Sequence, residues 1–124
     1  DADDALRALR RTDLTPTGRA MRRLVDLYRQ VKTNNLDEAR ERIEADDLVE
    51  ALRPLGADAG FGYAMAAAVY DLAEQPEAAQ TWWERATRLI DAEALAYHVP
   101  EAAPLLDRPT APMLEAAMRE DGLA

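Results

Sequence analysis

An all-α fold of antiparallel helical hairpins is predicted for this chain from three features. Ala, Leu, Arg and Glu dominate a sequence with few β-branched residues and no alternating apolar runs, which favours helix nearly throughout. The stretch 58–90 then reads as two consecutive helices, 60–74 and 76–90, joined by a turn at Gln75 and Pro76. Finally, polar and proline-bearing turns punctuate the rest at Thr15-Pro16 and at Thr33, Asn34 and Asn35.

The helix over 60–74 is apolar on two sides. Phe61, Met65, Ala68, Val69 and Leu72 follow one 3.6-residue stripe, and Tyr63, Ala66, Ala67 and Tyr70 lie opposite, so neighbours on both sides are predicted. Its successor starts with Pro76 at a first helical position and Glu77 at the positive end of the helix dipole. Ala79, Trp82, Trp83, Ala86, Leu89 and Ile90 form its stripe, with Glu84, Arg85 and Arg88 turned to water. Trp82 and Trp83 are read as core.

The segment AVYDLAEQPEAAQTWWERATRLID (residues 68–91) resembles one tetratricopeptide repeat, and AAQTWWERA within it is similar to the second helix of Sel1-like repeats. The turn glycine of such repeats is replaced here by Ala73 or Glu74. The resemblance implies hairpins stacked as a short right-handed superhelix or a compact bundle. It also implies that the stripe Tyr63, Ala67, Tyr70 and Glu74 lines a concave surface open to a peptide or partner helix; the other reading covers that stripe with a helix of the same chain. LYRQVKTNNLDEARERI (residues 27–43) has the same layout, a Tyr, a polar turn and then an acid-Ala pair. The two units lie about 40 residues apart, against about 34 in a tetratricopeptide array, and are fewer than the ~3 usually needed for a stable solenoid. Flanking helices must then act as caps, or a partner completes the stack.

Within the chain of 124 residues, 1–98 is assigned to the helical-hairpin domain and 99–124 to a proline-rich linker with a C-terminal helix packing on it or on a partner. A short helix is expected at 3–11, and a helix from Thr15 as N-cap to about Lys32 with the stripe Met21, Leu24, Val25, Tyr28 and Val31. Asn35 and Glu38 suggest a capping box. From Leu36 the apolar phase switches: Ala39 and Ile43 share one face, whereas Ala45, Leu48, Val49 and Leu52 point the other way. A break near residues 44–47, with Asp46 or Asp47 capping a second short helix, is expected; an unbroken helix packed on both sides is the competing reading. The second hairpin helix is expected to continue from Ile90 through Ala94 and Tyr97. Pro100, Pro104, Pro109 and Pro112 mark the linker, with one helical turn at 101–106, and a short helix over 113–120 carries Leu114, Ala117 and Met118.

Chemistry is sparsely signalled. Without cysteine the chain has no disulfide framework, thiol nucleophile or cysteine metal site, and the lone His98 has no second ligand at metal spacing. No phosphate-loop, dinucleotide or nucleophile-elbow motif is present, so no catalytic residue, metal or cofactor is assigned, and the chain is read as non-enzymatic. No apolar run is long enough to span a membrane. The net charge of −9 is uneven: residues 1–32 carry 8 bases and 5 acids, residues 33–124 carry 7 bases and 19 acids. Such a surface disfavours nucleic acid, although the basic set Arg7, Arg10, Arg11, Arg19, Arg22 and Arg23 can meet an anionic partner.

The resulting expectation is a protein–protein interaction module, an adaptor, assembly factor or accessory subunit, with Tyr63, Ala67, Tyr70 and Glu74 as its partner surface. The alternative is a small helical protein that binds an anionic ligand or nucleic acid through Arg19, Arg22 and Arg23. A homo-oligomer that exchanges its tail helix is a third expectation. A cytoplasmic location is favoured, and the start at Asp1 leaves export open.

Overall fold

A computed structural model of the chain describes residues 15–107, and every regular element among them is helical. The expected helices over 3–11 and 113–120, and with them any tail exchange, lie outside the described residues.

Helix α1 (Pro16–Lys32) starts where the sequence predicts. Thr15 is extended, and its hydroxyl accepts from the Gly18 N–H at 2.9 Å, while Pro16 takes the first helical position. At the other end Asn34 turns left-handed (φ 58°), the Asn34 N–H bonds to the Val31 carbonyl, and the Asn35 N–H reaches the Gln30 carbonyl at 2.8 Å. Those two bonds form a Schellman motif, which satisfies carbonyls that the helix end would otherwise strand.

Helix α2 (Leu36–Ala45) stops at the phase switch. Asp47 then caps α3 (Leu48–Leu52), its carboxylate accepting from the Glu50 N–H at 3.2 Å. The break separates two apolar faces that one straight helix could not bury together; Ala39 and Ile43 are buried on one side of it, Leu48 and Leu52 on the other. The expected capping box does not form: Asn35 makes no side-chain cap, its N–H is taken by the Gln30 carbonyl, and its amide donates to the Glu38 carboxylate instead. A short 3-10 segment (Arg53–Asp58) follows, redirected at Gly56, where φ is 61° and ψ is −131°, a conformation that disfavours a side chain.

Helix α4 (Ala59–Leu72) is the centre of the fold. Every residue from 62 to 70 is buried, and the helix packs against α1, α2, α5, α6 and both 3-10 segments, most extensively against α5. Its mixed apolar surface, predicted from two opposed stripes, therefore has neighbours all round. Gly62 permits the closest approach: a Cβ there would collide with the Leu52 side chain and lie 3.2 Å from Leu24. Leu72, expected inside, is half exposed at the helix end.

The turn into α5 (Pro76–Thr87) repeats the first turn 40 residues later. Glu74 is left-handed (φ 62°), its N–H bonds to Asp71, and the Gln75 N–H reaches the Tyr70 carbonyl at 2.9 Å. Ala39 and Ala79, each five residues past its left-handed position, are both fully buried. Two helix–turn–helix units thus share one turn geometry. Within α5, Ala79, Trp83 and Ala86 are buried, whereas Leu89 beyond its end is largely exposed.

The expected continuation past Ile90 does not occur. The Leu89 and Ile90 N–H groups both fold back onto the Ala86 carbonyl, and Asp91 caps a new helix α6 (Ala92–His98) by accepting from the Ala94 N–H at 3.2 Å. An aspartate is better placed at a cap than inside a helix, where its carboxylate competes for backbone donors. After residue 98 the helical turn expected at 101–106 is present, but the described part of the region is packed rather than an extended linker. Pro100–Ala102 and α7 (Ala103–Leu106) are helical, and Val99, Ala102 and Leu105 join the same core as α4.

A candidate partner surface and arginine cleft

The stripe expected to face a partner is mostly internal. Tyr63, Ala67 and Tyr70 are buried, and only Glu74 is exposed. Tyr63 packs at 5.7 Å from the Trp82 ring, over which Arg85 is stacked at 4.7 Å. The Tyr70 hydroxyl donates to the Glu44 carboxylate at 3.2 Å, at the edge of an open cavity of about 580 Å³ that Pro76 and Glu77 also line. Burial, then the nearby Glu44 charge and this bond, push the Tyr70 phenol up to about 12. Ala-rich α4 lets α2 and α5 approach closely enough to fill what an open groove would require. Glu74 is exposed because it sits at the left-handed turn position rather than on the helix.

Helix α1 departs most from its sequence reading. Its buried residues are Gly18, Ala20, Arg23, Leu27, Gln30 and Val31, so the helix is rotated away from the expected stripe. Met21 and Tyr28 are 42% and 46% exposed, and Val25 is half-buried between them. Lys32 extends over the Tyr28 ring at 5.4 Å and donates to Glu101 at 2.7 Å. The outward face thus carries an apolar strip at i, i+4 and i+7, with Arg22, Arg29 and Lys32 along it. Charge follows the same division: residues 16–32 hold 5 bases and 1 acid, whereas residues 33–107 hold 5 bases and 16 acids.

Beside that face is a cleft of about 410 Å³, lined by Arg19, Arg22, Arg23 and Asp26 of α1 and by Arg42 of α2. The three arginines expected to meet an anion are therefore gathered in one place, one helical turn apart, with a fourth supplied across the helix pair. Arg42 pairs with Asp26 at 3.5 Å and with Asp46 at 3.9 Å. Arg23 is only 7% exposed, and Asp46 lies 3.8 Å from its Nε, too far for a hydrogen bond. Nε, Nη1 and Nη2 of Arg23 are all buried without a hydrogen-bond partner. Burial, reinforced by Arg42, draws this guanidinium below its ordinary value, while Asp46 and Asp26 act against that; an arginine stays cationic through such a shift. Arg19 and Arg22 make polar or electrostatic contacts of their own.

Sequence reasoning missed Arg42, which alternates with acids as a solvated helix face does, and missed that Arg23 points inward. The available signal was positional, because Arg23 falls on the same side as Ala20, Leu27 and Val31. Elsewhere, His98 is exposed and meets Phe61 and Tyr97 edge-on at 5.5 and 5.1 Å. Among the described residues no group of three or more His, Cys, Asp or Glu side chains could hold a metal ion, and no helix is long and apolar enough to cross a membrane. Compared with family models, with curated proteins and with solved structures, the chain matches none.

Proposed function

We propose that this chain is a non-enzymatic protein–protein interaction module, an adaptor, assembly factor or accessory subunit, that offers the outward face of α1 to an acidic partner. The observation that carries this reading is the exposed Met21 and Tyr28 on a basic helix face, where the rest of the described residues are predominantly acidic. Aromatic anchors ringed by cations suit a partner with a complementary apolar and acidic surface. The hairpin architecture belongs to the same proposal. Two identical Schellman turns set 40 residues apart support a pair of tetratricopeptide-like units, with α4 serving as filler between them rather than as the wall of a groove.

Affinity capture with the full chain tests the reading. A partner that is retained by the wild type and lost on Tyr28→Glu or on the double reversal Arg22→Glu/Arg29→Glu, but kept by Tyr97→Ala, is the expected result. A partner indifferent to the α1 changes contradicts it.

A second reading, binding of an anionic ligand through Arg19, Arg22 and Arg23, is supported by the arginine cleft and by the buried Arg23 nitrogens that have no hydrogen-bond partner. Steep loss of binding with added salt is its signature.

A further inference from the structure

We propose that the cleft between α1 and α2 is a receptor for a phosphoryl group, the tetrahedral dianion of a phosphate monoester, with Arg23 as its buried anchor. The proposal rests on the anionic-ligand reading and narrows that ligand to one chemical class.

The argument starts from an imbalance. A buried guanidinium carries five N–H donors and a permanent charge, and structures seldom leave such a group without acceptors. Arg23 has none: its Nε faces Asp46 from 3.8 Å, and both terminal nitrogens are buried and unbonded on the wall of a cleft of about 410 Å³. Asp46 lies within ion-pair distance of Arg23 but makes no hydrogen bond to it. Asp26 and Asp46 are each within ion-pair distance of Arg42, which holds that side chain across the cleft. Two helices therefore bring guanidinium groups to one cleft, Arg23 from α1 and Arg42 from α2, and Arg19, Arg22 and the Asp26 carboxylate complete its lining among the described residues.

The donor arrangement selects the ligand. One guanidinium fork satisfies the two coplanar oxygens of a carboxylate, but forks arriving from separate helices suit an anion whose acceptor oxygens point in several directions and whose charge exceeds one. Arg23 also lines a second cavity, about 430 Å³, with Pro16, Arg19, Glu50, Ala51 and Pro54, where Glu50 would repel an anion. Of the two cavities that Arg23 lines, the one shared with Arg42 is therefore the more favourable for an anion.

Calorimetric titration of the full chain with inorganic phosphate, O-phosphoserine, acetate and succinate at matched ionic strength, together with proton–nitrogen NMR of the arginine Nε–H groups, decides the matter. The expected result is saturable binding of both phosphates, shifts in the Arg23 and Arg42 side-chain signals, and at least about tenfold weaker binding by a folded Arg23→Met chain. Arg23→Lys, which keeps the charge and removes the fork, should fall between the two. An acidic peptide carrying phosphoserine separates two sources: tighter binding than O-phosphoserine assigns the group to a partner's side chain, and equal binding assigns it to a free monoester. Carboxylates binding as well as phosphates would overturn the phosphoryl assignment while leaving the anionic reading intact. No response to any anion would overturn both, and unaltered phosphate binding by Arg23→Met would remove Arg23 as the anchor.

Discussion

Helices α1 and α4 pack against each other and spend their residues in opposite ways. Helix α4 hides a nearly unbroken run of Ala, Gly, Val, Met and Tyr, and the side-chain bond of its Tyr70 to Glu44 lies at the rim of a cavity. Helix α1 buries Arg23 and Gln30 and leaves Met21 and Tyr28 in water. Stability alone would reverse that second choice, since a buried cation costs more than an exposed apolar chain. The difference teaches that α4 is organised by packing, and that α1 gives up part of its packing to hold charge beside a cleft and apolar surface on the outside.

The comparison breaks most severely if the interior of α4 tolerates charge. Ala67→Glu places a carboxylate where Ala67 has no exposure, and should cost roughly 4 kcal/mol or more, enough to unfold a domain of this size. Cooperative urea unfolding or circular dichroism would show it. Met21→Gln on α1, by contrast, should stay within about 0.5 kcal/mol of wild type.

Smaller effects sharpen the picture at the end of α4. Glu74 adopts a left-handed conformation that glycine enters freely, so Glu74→Gly should stabilise by about 1 kcal/mol; a loss would mean that the Glu74 side chain has a bond worth more than the strain. Tyr70→Phe should destabilise by about 1 kcal/mol through the lost bond to Glu44. Because the folded phenol is raised to about 12 from 10.0, the neutral form is the one that folding favours. Its contribution is complete below the unfolded value and disappears as pH rises from 10.0 towards 12, which tyrosinate absorbance and stability measured together would track.

The smallest effect is at the far end of α1. Burial works to raise the Glu101 carboxyl, but hydrogen bonds from Lys32 and the backbone, with the Lys32 charge, hold it lower than usual; the same hydrogen bond raises Lys32. A lowered acid contributes above its unfolded value and loses that contribution as pH falls through its folded one. A raised base contributes below its unfolded value and loses it as pH rises. The pair should therefore act only between the acid range below 4.5 and the alkaline range above 10.5, and added salt should weaken it.

How much of this was legible varied with the kind of signal. The Thr15 cap, the break before Asp47 and the enclosed α4 were readable because each is a local rule, a cap, a phase switch or two opposed stripes. The end of α5 was not, because Leu89 and Ile90 keep the apolar phase while Asp91 offers a better cap. Hydropathy also misplaced the face of α1. Of the expected stripe Val31 is buried and Leu24 packs against the core, but Met21 and Tyr28 are exposed, while Ala20, Leu27 and Arg23 turn inward. The cleft needed Arg42 from another helix, and no spacing within α1 could supply it.

The proposition that α1 sacrifices packing for a ligand is tested most directly by the unfolding free energy of Arg23→Met. Removing a buried cation that has no hydrogen bonds, and filling its place with an apolar chain, should raise stability by about 1 kcal/mol or more. A loss of similar size would show that the Arg23 guanidinium holds the fold together, and that the cleft is a consequence of packing and not a site.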